Sequence, residues 1–401
     1  NLMGEADVIR SIMLLPGVST VGEGASGFNV RGGNVDQNLV LLDGVPLFNT
    51  SHLFGFFTGF NADMVQDLSL YKGGIPSMYG GRASSVLDVR VKEGNFEKWG
   101  IQGGVGPISS RLLIDGPLIK GKTSLILGAR GSVSDFYLGY FPNPALKKSK
   151  ADFYDVNFKV THKLNENQRI SLSGYISHDG FKFASDTLYS WQTQSISFKH
   201  NALWGKLSHN FTAFVSDYQY GIEGLKSGLE FDWKPSIKQK TVREDLSLDL
   251  KGRGRIDFGA ELNQYQNDAG TFRPTSPKSE VNEFPMQVEN SREMGIYAGH
   301  SLPLGKRISL DYGLRYAYFQ LLGPLKTFQY QTGKPRTLNS LMDTLSFASN
   351  DVIQSYGGLE PRVSLAVKLD SSTSVKLGFN RMQQFMHLLS NTMAISPVDI
   401  W

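Results

Sequence analysis

The sequence predicts a mostly β protein of membrane-barrel type, truncated, with a small α+β plug domain seated in its lumen. Three observations carry this. From Trp99 onward, polar and apolar residues alternate at period 2 in segment after segment. The joins between these segments are of two kinds, short polar turns and long loops, the asymmetry of membrane barrels. Residues 1–95, by contrast, mix one helical stretch with short β-type runs joined by glycine-rich turns. The expected division is therefore a plug over 1–95 and a wall over 96–401.

Ala6 to Leu15 place Val8, Ile9, Ile12, Met13 and Leu15 at helical spacing, and Pro16-Gly17 ends the run. Phe28 to Arg31 is a strand run stopped by Gly32-Gly33, and Leu39 to Leu42 is a second, apolar throughout and so expected to be buried on both faces. Asp43-Gly44 turns it. The stretch 52–60 carries His52, Phe54, Phe56, Phe57 and Phe60 among glycines, too short for a convincing core element. A third run ends at Tyr71 before Gly73-Gly74, Gly80-Gly81 break a bent turn, and Val86 to Lys92 alternates cleanly.

In the wall, Ile170, Leu172 and Ile176 oppose Ser171, Ser173, Tyr175 and Ser177, while Leu246 and Leu248 oppose Ser247 and Asp249. Ile256, Phe258 and Leu262 face away from Asp257 and Glu261, and Leu310, Leu314 and Tyr316 from Asp311 and Arg315. About a dozen such segments are expected, each near the ~10 residues of a membrane-spanning strand. A soluble β-sandwich also alternates, but its strands run about 5–6 residues and its core excludes such charges. Aromatic residues at segment ends (Trp99, Tyr137, Tyr140, Trp204, Tyr218, Tyr220, Tyr316, Tyr318) suit girdles at a membrane interface. Long loops are expected at 136–151, 180–194, 268–286 and 322–353, and short turns at 164–168 and 302–307.

Composition excludes several function classes. The chain has 401 residues, no cysteine, 40% hydrophobic and 19% charged residues, and a formal charge of +4. A disulfide framework or thiolate metal site is impossible, and without a basic run nucleic acid is not an expected partner. No apolar run reaches the ~18 residues of a membrane helix. Gly22, Gly24 and Gly27 match a dinucleotide fingerprint, but the order is helix then strand, the reverse of what a phosphate-binding turn needs. No pair among the seven histidines sits at i,i+4 on a helix, and there is no nucleophile elbow or P-loop. No enzyme activity, cofactor or metal is expected. The start is no signal peptide and Trp401 no natural stop, so a piece of a longer protein is expected.

Four stretches, DVIRSIMLLPGV, FNVRGG, LVLLDGVPL and the run from Tyr71 through SMYGGRASSVLDVRVKEG, resemble in order and spacing the plug domain of TonB-dependent outer-membrane receptors. The subgroup with an added N-terminal carboxypeptidase-like regulatory domain is most similar. Beyond residue 95 the resemblance rests on strand pattern and on FNRMQQFMHLLSN.

It implies part of a barrel of about 22 strands with a plugged lumen, in the outer membrane of a Gram-negative bacterium. It also implies energy-dependent uptake of a scarce, large substrate (siderophore, corrinoid, glycan or peptide). The implied partners are periplasmic TonB with ExbB and ExbD, outer-membrane lipids and, in some receptors, a surface lipoprotein. A surface receptor or secretion-associated barrel without transport is the alternative.

By the same resemblance, Arg31 and Arg82 are expected to latch the plug to wall carboxylates, with Glu244, Glu261 and Glu360 as partners; a solvated turn charge is the plain alternative. Asp43 is expected to cap its own turn. Phe48, His52, Phe54, Phe56 and Phe57 are candidates for a substrate-facing apex, against the alternative of packing on the wall. Gly32, Gly33, Gly44, Gly80 and Gly81 supply tight turns and close approach.

Overall fold

The computed structural model describes residues 8–20, 27–55, 57–184, 186–390 and 399–401. Helix α1 (Val8–Met13) buries Ile9 and Ile12 and leads into β1 (Val18–Thr20), which pairs antiparallel with β2 (Phe28–Val30). Then follow β3 (Asn38–Leu42), β4 (Val45–Pro46), β5 (Ser51–His52), β6 (Phe57–Thr58), β7 (Val65–Tyr71) and β8 (Ser85–Val91). Four of these form one sheet in the order β4-β3-β8-β7, in which β3 and β8 run parallel.

Alternation along Val86 to Lys92 suggested one polar face, yet β8 is buried on both. Leu87 and Val89 pack with Phe28 and Val40, whereas Val86 packs with Leu41, Ile75 and Tyr79. A central strand loses its wet face when both sides are covered. The 52–60 stretch differs too: it is core, with His52, Leu53, Phe57 and Phe60 buried. Short runs can be interior when a wall surrounds them.

The wall begins with β9 (Gly100–Val105), β10 (Ser109–Ile119), β11 (Thr123–Ser132), β12 (Lys150–Asn165), β13 (Gln168–Lys182), β14 (Thr187–Trp204) and β15 (Leu207–Gly224). It continues through β16 (Phe231–Trp233), β17 (Ser236–Asp249), β18 (Arg255–Asp268), β19 (Thr271–Pro274), β20 (Phe284–Pro285), β21 (Val288–Leu304) and β22 (Ile308–Leu322). Last come β23 (Leu325–Tyr330), β24 (Leu341–Phe347), β25 (Val352–Lys368) and β26 (Ser374–Asn380). Sequential antiparallel pairing from β9 to β26 makes one continuous sheet, with β16, β19 and β20 attached at its side and β23–β24 a separate hairpin.

Strands β12 to β15 run 16, 15, 18 and 18 residues, longer than the expected ten or so. They overshoot the ~9–11 residues that span a bilayer. For the same reason most of 180–194 is strand, not loop: β13 extends to Lys182 and β14 starts at Thr187. The other three long connections hold short helices or small hairpins, and the short turns fall between β12 and β13 and between β21 and β22.

Alternation settles the two faces. Leu172, Ile176, Ile196, Phe198, Ile296 and Leu314 point outward and are exposed, forming an apolar band suited to lipid. Asp155, Asn157, Lys159, Ser173, Arg315 and Glu360 point inward and are buried against the plug. Tyr218 and Tyr220, expected in an outer girdle, also face inward and are only 4% and 5% exposed. Ile296→Arg should destabilise the inserted sheet by about 2–4 kcal/mol, and Asp311→Asn by less than about 0.5 kcal/mol. Urea titration in lipid vesicles measures both; equal losses would contradict the facing.

Candidate functional site

The chemistry of this chain is concentrated where the plug meets the inward face of the wall. The β3–β4 hairpin turns at Asp43 and Gly44, whose φ angles of 49° and 84° are the two positive values a type I′ turn requires. That turn does not consume the Asp43 side chain, as local capping would. The carboxylate instead reaches the wall, 3.1 Å from Lys159 Nζ and 3.2 Å from Lys199 Nζ, and accepts a hydrogen bond from Ser173 Oγ at 3.2 Å. Burial would raise its pKa, but Lys199 and Lys159 outweigh burial and hold it below its ordinary 3.8.

His52 makes the second contact. Its Nδ1 lies 2.8 Å from Asp179 and its Nε2 3.3 Å from Asp155, and the ring stacks on Phe153 at 4.7 Å. Asp155 also pairs with Arg130 at 2.7 Å, and Arg130 donates to the plug carbonyl of Thr58. Burial alone lowers the His52 pKa; the carboxylates of Asp179 and Asp155 overcome it and lift it to about 9, with Arg130 opposing. His52 is therefore a charged anchor within the interface, not a substrate-facing side chain. Phe57 likewise packs on Phe153 at 5.1 Å. Phe48 stacks on Tyr218 at 5.7 Å, and Phe56 and the Phe54 side chain lie outside the described residues.

The third contact inverts the expected polarity. Wall Arg362 donates to the plug carbonyl of Pro76 at 2.5 Å and pairs with Glu360 at 2.7 Å. Wall Arg315 pairs with Glu261 and lies 3.7 Å from Glu360. Glu261 and Glu360 are thus occupied by wall arginines rather than plug ones. A Cβ at Gly80 would collide with the Arg315 guanidinium, which explains why this bend needs glycine. Gly81 lies at positive φ against Glu293, Gly32 at positive φ in open space, and Gly33 packs on Ser84.

Arg82 is buried, but it pairs with none of the three predicted carboxylates. It donates to the Gly81 carbonyl at 2.9 Å and lies over the Phe48 and Trp401 rings. Arg31 is exposed, rests over Gly73 and makes no ion pair among the described residues, so it is no latch. Glu244 fails for a geometric reason. It alternates with the inward Arg243 and Asp245, points outward, and pairs with His209 at 2.6 Å.

Sequence reasoning missed Lys159, Lys199, Arg130, Asp155, Asp179, Arg315 and Arg362. The usable signal was charge at inward positions of the alternating strands. Two outlying bridges add to the interface, Asp63 with Arg111 at 2.8 Å and Glu93 with Arg169 at 2.7 Å.

The family described as "TonB-dependent Receptor Plug Domain" matches residues 3–86, and "TonB dependent receptor-like, beta-barrel" matches residues 124–385. The chain belongs to the TonB-dependent receptor family. No curated protein matches it. Among solved structures it is similar to the copper transporter OprC, at TM-score 0.69 and 11% identity over 94% of this chain and 60% of that one. It is also similar to the FrpB iron transporter from Neisseria meningitidis (TM-score 0.65, 13% identity, 95% of this chain and 63% of that one). The alcaligin receptor FauA from Bordetella pertussis gives 0.64 and 12%, with 97% and 62% covered. The chain thus spans about three fifths of the length of these structures. As a TonB-dependent receptor it is not an enzyme.

The charged His52 ring stabilises the plug fully below its ordinary pKa of 6.5, and this is lost as pH rises through about 9. The Leu53 amide, which donates to Asp179 at 3.0 Å, reports on it. Corrected for intrinsic rates, its hydrogen-exchange protection should fall over that range in the receptor and stay flat in His52→Gln. A flat profile in the unmodified receptor would contradict the latch. Asp43→Ala, which strands two lysines, should cost plug docking about 3–5 kcal/mol in urea-induced release; a loss under about 1 kcal/mol would mean the turn alone holds this edge.

Proposed function

We propose that this receptor takes up a scarce, large solute across the outer membrane of a Gram-negative bacterium, driven by TonB with ExbB and ExbD. The supporting observation is a folded plug buried in a polar lumen and held there by the ion pairs of Asp43 and His52. A passive pore needs no such plug. Opening a lumen closed by buried ion pairs requires work, because each charge must be separated from its partner before water can replace it.

The reading fits the printed descriptions of similar structures, which name a copper transporter, an iron transporter and an alcaligin receptor. Metals and siderophores are scarce, and porins too narrow or too dilute a route for them. Siderophores, corrinoids, glycans and peptides all remain substrate classes for this receptor, and the inward face of the wall offers polar hydrogen-bonding groups to any of them. No covalent step on the solute is involved.

The test is accumulation of candidate solutes by cells carrying the full-length receptor, with and without TonB and with and without an uncoupler of the proton gradient. Uptake should fall at least tenfold in either deficient condition while surface binding persists. Equal accumulation with and without TonB would overturn the proposal.

A further inference from the structure

On its outward face the wall changes chemistry abruptly along three neighbouring strands. Read from the loop end, the outward positions of β17 are Lys238, Lys240 and then Val242, and those of β18 are Gln266, Gln264 and then Leu262. In β21, outward Arg292 is followed by Met294 and Ile296. Toward the short turns lies the apolar band; toward the long loops lies this basic, amide-rich patch. Register fixes its shape. Lys240, Gln264 and Arg292 stand directly opposite one another across β17, β18 and β21, and Gln320 of β22 continues the row. At about 4.8 Å per strand, the backbones bearing Lys240 and Arg292 lie about 10 Å apart, and Lys238 stands about 7 Å from Lys240 along β17.

None of these three cations forms an ion pair among the described residues, although other basic residues toward the loops do. Lys234 pairs with Glu223 at 3.0 Å, and Lys150 with Asp152 at 2.9 Å. Asp217 stands opposite Lys238 in register, but its carboxylate accepts from the Gln219 amide at 3.4 Å instead. The three charges therefore face the membrane boundary without a counter-charge from this chain. A cation beside the hydrocarbon attracts anions held at the same depth, and the anions fixed at that depth are lipid phosphates. With the short turns on the periplasmic side, as in outer-membrane barrels, the patch lies at the external leaflet. Gln264 and Gln266, exposed beside the cations, offer amide donors and acceptors to sugar hydroxyls as well.

We propose that Lys238, Lys240 and Arg292, with Gln264 between them, bind the phosphorylated sugar headgroup of an external-leaflet glycolipid on the outside of the wall. Arg292 presents a forked donor to one phosphate, and the two lysines act as point charges on the same phosphate or a second one. The acyl chains then lie along Val242, Leu262 and Ile296, which continue the same three strands into the apolar band. The site rests on the outer-membrane placement given above, not on uptake or on TonB.

The experiment uses the full-length receptor in detergent micelles, titrated with lipid A in bisphosphorylated and dephosphorylated forms and with phosphatidylglycerol. Native mass spectrometry counts the lipid retained. Bisphosphorylated lipid A should bind at least tenfold tighter than either other lipid. Lys238→Gln, Lys240→Gln and Arg292→Gln together should weaken it at least tenfold. Lys234→Gln, whose charge is already paired, should change it less than twofold, and Lys238→Arg with Lys240→Arg should keep it within twofold. The chain has no cysteine, so Gln264→Cys carrying a photoreactive maleimide should cross-link to lipid A in native membranes. Equal affinity for the dephosphorylated form would overturn the phosphate contact, and phosphatidylglycerol binding as tightly would overturn the glycolipid assignment. Unchanged affinity in the triple variant would overturn the site, as would a protein captured at position 264 in place of lipid. No readout involves TonB or a transported solute, so these failures are separate from failure of the uptake reading.

Discussion

Inside a lumen filled by folded protein, an ionised side chain must meet an opposite charge or several donors, since leaving it bare costs several kcal/mol. The rest of this structure follows from that requirement. A membrane strand turns half its residues inward, and here those residues include Arg130, Asp155, Lys159, Asp179, Arg315 and Glu360. Other wall residues satisfy some of them, as Glu261 does for Arg315, and the plug satisfies others. Its surface is therefore a charge-complementary cast of the wall: Asp43 against two lysines, His52 between two aspartates, bare carbonyls against Arg362. Such an interface is firm while dry and loses its hold once water enters.

The interface is also uneven. Against strands β21 to β25 the 73–82 bend is packed so closely that glycine is required, whereas beside β14 to β18 lies a polar cavity of about 1040 Å³, bordered by the Asp43–Lys199 pair and the Phe48–Tyr218 stack. A pull on the plug would therefore be resisted differently on its two sides.

Much of the fold was legible in the sequence because period-2 alternation is enforced by two solvents, lipid outside and polar lumen inside. The Asp43-Gly44 turn was legible too, since few residues tolerate its two positive φ values. Partners were not. Nothing local to Asp43 points to Lys159 and Lys199, more than a hundred residues away, and only the barrel's curvature brings them together. Arg31 and Arg82 occupy similar glycine-flanked turns, yet one is exposed and the other buried. Glu244 was misplaced by one step of alternation against Arg243 and Asp245, and that step decides between lipid and lumen. The phenylalanine-rich stretch from His52 to Phe60 is too short and glycine-rich to read as a core element, but His52 and Phe60 are 1% exposed.

The central claim is that buried charge pairs, added to apolar contact, hold the plug in place. A double-mutant cycle tests it most directly, comparing Asp43→Ala, the pair Lys159→Ala with Lys199→Ala, and all three together in the full-length receptor. The readout is the force needed to extract the plug in single-molecule pulling, converted to free energy. The account predicts a coupling of about 1–3 kcal/mol, because removing both sides of the pair leaves no charge stranded. Additive losses, with coupling near zero, would contradict it.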